Sequence, residues 1–354
     1  MGVRRAEFCR PSFLKRALAF GRGRWYNRGS VNAPYGGEGG AAVIYIENDA
    51  RDPAFNQALE EYVFERVAPD ETLLMLWRNA PAVVCGCYQN AFAEVDMLRA
   101  AERGVKVIRR ISGGGTVYHD PGNVNYSVIA PADDRVDYAR FIAPVVEALN
   151  DLGIPAAMNR TCDIAVNGLK VSGSAQKTAK GRVLHHGTLL YDTDLRALHA
   201  LADGRRGKFT SKGIQSTPWP VTNMRACLTD APDTAEFMAR LRERLAGNAE
   251  TLRLDESALE DVRALAAEKY ETWDWTFARS PAFSCETEFS MDGARVGLSY
   301  AARRGVIETI AFDTARPALD EAARRLTGKR LTIEDIRASL EGLDGLETLY
   351  RALL

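Results

Sequence analysis

The chain has 354 residues, 46% of them hydrophobic and 26% charged, and 46 Lys and Arg against 47 Asp and Glu give a formal net charge of −1. A length beyond the roughly 250–300 residues at which one hydrophobic core stops growing points to about two domains, and this composition excludes wholesale disorder and a fibrous repeat. The near-zero charge removes a global positive field for nucleic acid, and no apolar run of about 18 residues is present to cross a membrane.

Residues 1–40 stand apart, with eight Lys or Arg, two Glu (Glu7 and Glu38) and eight Gly. Arg-rich, acid-poor composition fits a transit peptide, or a start codon assigned too far upstream; under either reading the segment is expected outside the fold. The globular pattern opens at Val43 with the strand VIYIE. Asp52-Pro53 then starts a helix whose apolar positions Phe55, Leu59, Tyr62, Val63 and Phe64 recur at helical spacing. Residues 72–78 and 82–85 are β-rich runs parted by Asn79-Ala80-Pro81, 94–103 reads as an amphipathic helix, and 105–109 alternates as a strand. After a glycine cluster come an apolar strand at 125–130 and a helix at 138–152 ended by Gly153. A hairpin over 163–172 turns at Asn167-Gly168, and a strand covers 183–191. The stretch 204–220 is punctuated by Pro and Gly, a helix follows at 234–245, and 247–256 is polar. The last hundred residues read as a helix to Tyr270, three antiparallel strands turning at Asp292-Gly293 and Arg304-Gly305, and terminal helices.

These elements predict an α+β fold: a mixed sheet covered by helices on one face, spanning 41–250, and a small α+β unit at 255–354. The six cysteines are scattered, without metal-finger spacing, which indicates a reducing compartment. Cys85 and Cys87 read as strand packing, and Trp273 and Trp275 as one side of a short strand in the small unit's core.

The densest chemical signal is the run from Arg109 and Arg110 through Ile111, Ser112, Gly113, Gly114, Gly115, Thr116, Val117, Tyr118, His119 and Asp120 to Asn123. Three bare backbones after a strand let a ligand approach peptide N–H groups, and an arginine fork beside them suits carboxylate or phosphate. The pattern GxxxxGK[ST] is absent, so any nucleotide is held by another device. A second signal is Lys170 within GLKVSGSAQ, on the hairpin's second strand, where a lysine can snorkel to solvent. The third is His185-His186-Gly187-Thr188 in an apolar strand; adjacent histidines point to opposite sheet faces, which argues against a shared metal.

In this order and spacing the three motifs resemble the lipoate-protein ligase A family, relatives of the biotin-protein ligases. The likeness extends over DPAFNQALEEY, RRISGGGTVYHDPGN, KVSGSAQ, HHGTLL, Lys212-Gly213-Ile214 and Val221-Thr222-Asn223. It continues into WDWTF and SPAF, which look like the family's accessory domain. The resemblance implies a catalytic domain of biotin/lipoate-ligase type and a two-step reaction. Lipoate and ATP give lipoyl-AMP and pyrophosphate, and the acyl group then passes to a lysine of a lipoyl carrier domain. The expected carriers are a 2-oxoacid dehydrogenase E2 subunit or the glycine-cleavage H protein.

By the same resemblance Lys170 is the essential lysine, touching the lipoyl carbonyl and the α-phosphate. Arg110, Gly115, Thr116, Val117 and Tyr118 match positions contacting ATP. Ser112, Gly113, Gly114, His119, Asn123 and His186 match the wall around lipoate. Asp163 matches the carboxylate near Mg²⁺, an ion held mostly by phosphate oxygens. The loop 177–182 is expected to cover the adenylate, and the enzyme to be a monomer without nucleic-acid or membrane partners. A cytoplasmic location is expected, or a mitochondrial one if residues 1–40 are a transit peptide. The rival reading is an octanoyltransferase of the same superfamily, which needs a cysteine nucleophile paired with Lys170. Cys162, beside Asp163, departs from the ligases, but it also lies nearer that aspartate than the transferases place their cysteine.

Overall fold

The computed structural model describes Tyr35 and residues 43–132, 137–159, 162–202 and 207–354. Among these residues fifteen strands form three sheets. In chain order they are β1 (Val43–Ile46), β2 (Thr72–Trp77), β3 (Ala82–Cys85), β4 (Lys106–Arg109), β5 (Val117–His119), β6 (Asn123–Pro131), β7 (Ala156–Asn159), β8 (Asp163–Val166), β9 (Leu169–Ala179), β10 (Arg182–Leu190), β11 (Lys208–Ser211), β12 (Glu250–Leu252), β13 (Phe283–Met291), β14 (Ala294–Arg303) and β15 (Val306–Phe312). The large sheet runs β12-β1-β2-β6-β10-β9-β8-β7, a small one β4-β3-β5, and a C-terminal one β11-β13-β14-β15. Only the pairings of β1 with β12 and β2, and of β3 with β4, are parallel, so the large sheet is mixed as expected.

Every residue of β2, and all of β6 except Pro131, is buried. A strand that is apolar on both faces needs cover on both. Helices Ala139–Asp151 and Thr234–Ala246 supply one layer, packing Phe141, Val145, Phe237 and Leu241 against Leu74, Leu76, Tyr126 and Val128. Helices Pro53–Arg66 and Glu256–Leu265, with the π-helical turn Ala266–Tyr270, cover the other face through Leu59, Val63, Val262 and Tyr270 against Leu73, Met75 and Ile129. The expectation of cover on one face only is therefore corrected. Burial of that second face at about 25 cal/mol per Å² is what draws the segment after residue 255 back onto helix Pro53–Arg66.

Several local readings change for identifiable reasons. The helix expected over 94–103 is broken into Ala91–Glu94 and Met97–Glu102, because Asn90 and Asp96 each cap a new start with their side chains. The segment 177–182 is no cover for the site: β9 and β10 run through it and turn tightly at Lys180 (φ 54°) and Gly181 (φ 74°). Arg182 is buried there and donates to the carbonyls of Val63, Phe64 and Val67, satisfying the orphan end of helix Pro53–Arg66. Trp273 and Trp275 lie on a helical turn, Trp273–Thr276, capped by Thr272, and not on a strand. Trp273 packs on the C-terminal core and Trp275 on the core between helix Pro53–Arg66 and the large sheet.

The C-terminal meander forms at the two expected turns, where Asp292, Gly293, Arg304 and Gly305 all have positive φ. Its fourth strand, β11, comes from within the preceding segment and pairs Phe209 with Cys285. Of residues 1–40 only Tyr35 is described; the others lie outside the described residues. Tyr35 itself belongs to the core, buried, its hydroxyl donating to the Phe141 carbonyl at 3.1 Å.

Candidate active site

The glycine-rich turn leaves β4 and is shaped from beneath by Arg110, which is buried. Its guanidinium donates to the carbonyls of Val84 (3.0 Å), Gly113 (2.5 Å) and Gly115 (2.7 Å) and to Ser112 Oγ (3.0 Å). Burial lowers its pKa to about 10, which leaves it a cation at neutral pH. Drawing the Gly113 and Gly115 carbonyls inward turns the N–H groups of Gly114 and Thr116 the other way, since a trans peptide sets the two groups opposite. The arginine fork thus faces the backbone of the turn, and the bare peptides face outward. Gly114 sits at φ 84°, and a Cβ on Gly86 would overlap its carbonyl oxygen, so two glycines allow the close approach of two chain segments.

Lys170 lies on β9 beside a register shift against β8 in which Val171 of β9 is the extra residue. Its backbone is held on the other side by Pro220 and Thr222, through Lys170 N to Pro220 O and Thr222 N to Lys170 O, each at 3.0 Å. Its ammonium meets Asp163 Oδ1 at 2.7 Å, with 26% and 15% of the two side chains exposed. Gly173 makes the room: a Cβ there would stand 3.1 Å from Lys170 Nζ. The Cys162 thiol reaches the same Asp163 oxygen at 4.0 Å.

Two cavities meet at this lysine. The first, about 480 Å³, is lined by Gln57, Trp77, Arg110, Gly114, Gly115, Thr116, Val117, His119, Asn125, Cys162, Asp163, Lys170 and His186. In it His119 takes a hydrogen bond from Asn79 at Nδ1 (3.0 Å) and is edge-on to Trp77, while its buried Nε2 has no partner. Burial drives its pKa down to about 3, so the ring is neutral and, with Asn79 Nδ2 as donor, carries its proton on Nε2. Gln57 Oε1 is likewise buried and unpartnered on this wall. His186 is fixed at both nitrogens, by Glu60 Oε1 at Nδ1 (2.8 Å) and Ser112 Oγ at Nε2 (2.6 Å). Glu60 also accepts from Ser127, which takes the Trp77 indole N–H at 2.9 Å, so one chain of hydrogen bonds orders the wall.

The second cavity, about 630 Å³, shares Thr116, Val117, Lys170 and Gly173 with the first. It extends past Tyr118 and Ser172 to Leu198 and Leu201. Both cavities are roofed by the strap 216–219, in which Ser216 Oγ accepts from Thr116 N (2.9 Å) and from Gln89 Nε2 (3.0 Å).

Of the expected residues, Arg110, Gly114, Gly115, Thr116, Val117, Tyr118, His119, Asp163, Lys170 and His186 are thus brought to the cavities. Ser112 stands behind His186, Asn123 reaches the wall only through its hydrogen bond to Asn125, and Gly113 lies outside beside Tyr88. Sequence reasoning missed Gln57, Glu60, Trp77, Gln89 and Ser216 as parts of the site. Gln57 and Glu60 stand three apart on the first helix, a polar pair on an otherwise apolar face, which was the available signal.

The chain matches the model of the lipoyl protein ligase A/B catalytic domain over residues 52–246. It belongs to that family. The chain is 34% identical to the lipoate-protein ligase LplJ of Bacillus subtilis over 274 residues, 75% of this chain and 83% of that one. Among solved structures it resembles a T. acidophilum protein assigned as a lipoate protein ligase with bound lipoic acid (TM-score 0.56, 26% identity, 67% of this chain, 98% of that one). A lipoate-protein ligase A bound with ATP is similar at TM-score 0.56 and 25% identity, with the same coverage. The chain is accordingly an enzyme, a ligase acting in lipoate attachment. The ligase gathers no group of three or more His, Cys, Asp or Glu side chains that could hold a metal among its described residues. Asp163 is a single carboxylate already engaged by Lys170, so it fits a cation only if phosphate oxygens supply the other ligands.

Proposed function

We propose that the enzyme joins lipoate to ATP as lipoyl-AMP and then transfers the lipoyl group to a lysine of a lipoyl carrier domain. The observation that carries this is the placing of one ammonium, Lys170, where two cavities of about 480 and 630 Å³ meet. Two structural relatives, one with bound lipoic acid and one bound with ATP, support lipoate and ATP as the ligands. Residues 41–250 form the catalytic part on this reading and 255–354 the accessory part.

The first step brings a carboxylate onto an α-phosphate, two anions that repel. Lys170, held at 2.7 Å from Asp163, is a preformed cation at that meeting point and lowers the barrier by stabilising charge as it develops. The outward-facing Gly114 N–H of the glycine turn suits a phosphate oxygen. Mg²⁺, when bound with the nucleotide, supplies further charge neutralisation beside Asp163. Pyrophosphate leaves, and the mixed anhydride keeps the acyl carbonyl beside Lys170. In the second step the neutral amine of the acceptor lysine attacks that carbonyl, the amide bond forms, AMP leaves, and the proton passes to solvent. No enzyme nucleophile is required, and the nearest thiol, Cys162, contacts Asp163. The neutral His119 N–H lines the acyl wall without adding a charge there, beside the His186 ring held by Glu60 and Ser112.

A lipoyl domain of an E2 subunit or an H protein is the carrier on this reading, and the enzyme acts as a cytoplasmic monomer. Lipoate-dependent ATP–pyrophosphate exchange tests the first step, and the mass gained by a carrier domain tests the second. Acyl transfer from an acyl-carrier thioester without ATP, together with no exchange, would establish the octanoyltransferase instead.

A further inference from the structure

Of the described residues, none beyond Val221 lines either cavity. Yet the C-terminal segment 273–280 grips a residue adjoining them. Arg109 ends β4, is 0% exposed and carries an unusual set of partners. Toward the C-terminal side, Nε donates to Thr276 O at 2.9 Å and Nη2 to Ser280 Oγ at 3.0 Å. Toward the catalytic side, Nη1 donates at 2.8 Å to both Gly86 O and Gln89 O. Its own carbonyl takes the Trp275 indole N–H at 2.7 Å. Among the described residues the ionisable groups that bear on it are two cysteines and Arg279, with no carboxylate, and burial lowers its pKa. A guanidinium buried without a counter-ion is costly, and apolar packing would stabilise the same place without that cost.

We infer that Arg109 is a positioning residue through which segment 273–280 sets the wall of the reaction cavities. The path is short and made of hydrogen bonds. The turn 86–89 that Arg109 holds includes Gln89, whose Oε1 accepts from Gly86 N and from Thr116 Oγ1, each at 2.8 Å. Gln89 Nε2 and Thr116 N both bond Ser216 Oγ. Thr116 and Ser216 line both cavities. Displacing Thr276 or Ser280 shifts the fork, the fork shifts two carbonyls of the turn, and the turn carries Gln89 and with it the two wall residues. The C-terminal unit thus acts on a site it does not touch.

The inference rests on the proposed adenylation for its kinetic consequence, so the experiment has one readout independent of activity. The full chain is compared with Ser280→Ala, Trp275→Phe, Arg109→Lys, the Ser280→Ala/Arg109→Lys double variant and, as a comparator weakening the C-terminal core elsewhere, Ile336→Val. Amide hydrogen exchange should rise about tenfold at Gly86 and Thr116 in Ser280→Ala and Trp275→Phe, with β6 and β10 unchanged and with no such rise in Ile336→Val. Lipoate-dependent pyrophosphate exchange should fall about 5–20-fold in kcat for the same two variants, because a fraction of an ångström at a reacting geometry costs that much. Ser280→Ala should add less than twofold in the Arg109→Lys background. Unchanged protection at Gly86 and Thr116 would overturn the inference even if the parent has no adenylation activity. So would additive rate losses, or losses matched by Ile336→Val. If Arg109→Lys does not fold, Ser280→Ala and Trp275→Phe still decide the matter, since each leaves Arg109 in place.

Discussion

The room beside Lys170 offers a sharp test of its role, because it can be narrowed without touching a functional group. A Cβ on Gly173 would lie 3.1 Å from Lys170 Nζ and 3.2 Å from Cε, a few tenths of an ångström inside ordinary contact. The clash is with the far end of a flexible side chain, and Gly173 has no positive φ, so the fold gives way easily. Gly173→Ala should therefore change stability by less than about 1 kcal/mol, part of any loss being offset by the lower entropy of the unfolded chain. The ammonium, however, must move about half an ångström from its present place over Asp163. If misplacement by about 1 Å costs a factor of about a hundred, this shift should cost roughly tenfold in adenylation, about 1.4 kcal/mol in the barrier. The assay is lipoate-dependent ATP–pyrophosphate exchange, read as kcat and KM for each substrate, beside a thermal melt. A variant with parental kcat and melting temperature would show that the position of Lys170 does not govern the step. A variant that is merely unfolded would show that the cavity is less compliant than its contacts imply.

Other outcomes follow from the same geometry. Lys170→Ala should abolish exchange while preserving the melt, a loss of about 3–4 kcal/mol or more in transition-state stabilisation; near-normal exchange would remove the assignment. Cys162→Ser should retain ligation within about fivefold, since no thioester is formed, and trapping of an acyl group on Cys162 in the parent would contradict this. Gly86→Ala should lose both fold stability and exchange, because its Cβ meets backbone at Gly114 and cannot be relieved by a rotamer; a soluble, active variant would refute the packing. His119 is neutral in the folded chain with a pKa near 3, below the roughly 6.5 of an unfolded histidine. Its contribution is complete above pH 6.5 and lost as pH falls toward 3, at up to about 1.4 kcal/mol per pH unit. In urea melts at pH 7 and 5 His119→Asn should lose roughly 2 kcal/mol less than the parent, and equal losses would refute the buried neutral ring.

Much of the site was legible in the sequence because its residues come in short blocks with narrow chemical uses. The GGG turn, KVSG and HHG each place their own glycines, and Lys170, His119 and His186 reach the cavities. Arg110 shows where block reading stops: its type suggested a ligand fork, and the structure spends its donors on Val84, Gly113 and Gly115. Spacing along one chain does not reveal which carbonyls a fork will meet when those carbonyls come from another strand.

The sequence by itself determined most of the strands, the C-terminal meander and the glycine turns, because these depend on neighbours within a few residues: periodicity, Asp and Asn caps, and paired positions of positive φ. Only the tertiary structure decided that helices would cover both faces of the sheet and that Glu60, 126 residues away in sequence, would orient His186. It also decided that the strap carrying Ser216, not the turn at Lys180-Gly181, would roof the cavities. Those outcomes depend on which apolar surfaces and unsatisfied polar groups meet when distant segments close on one another, and that is settled by the free energy of the whole packed chain.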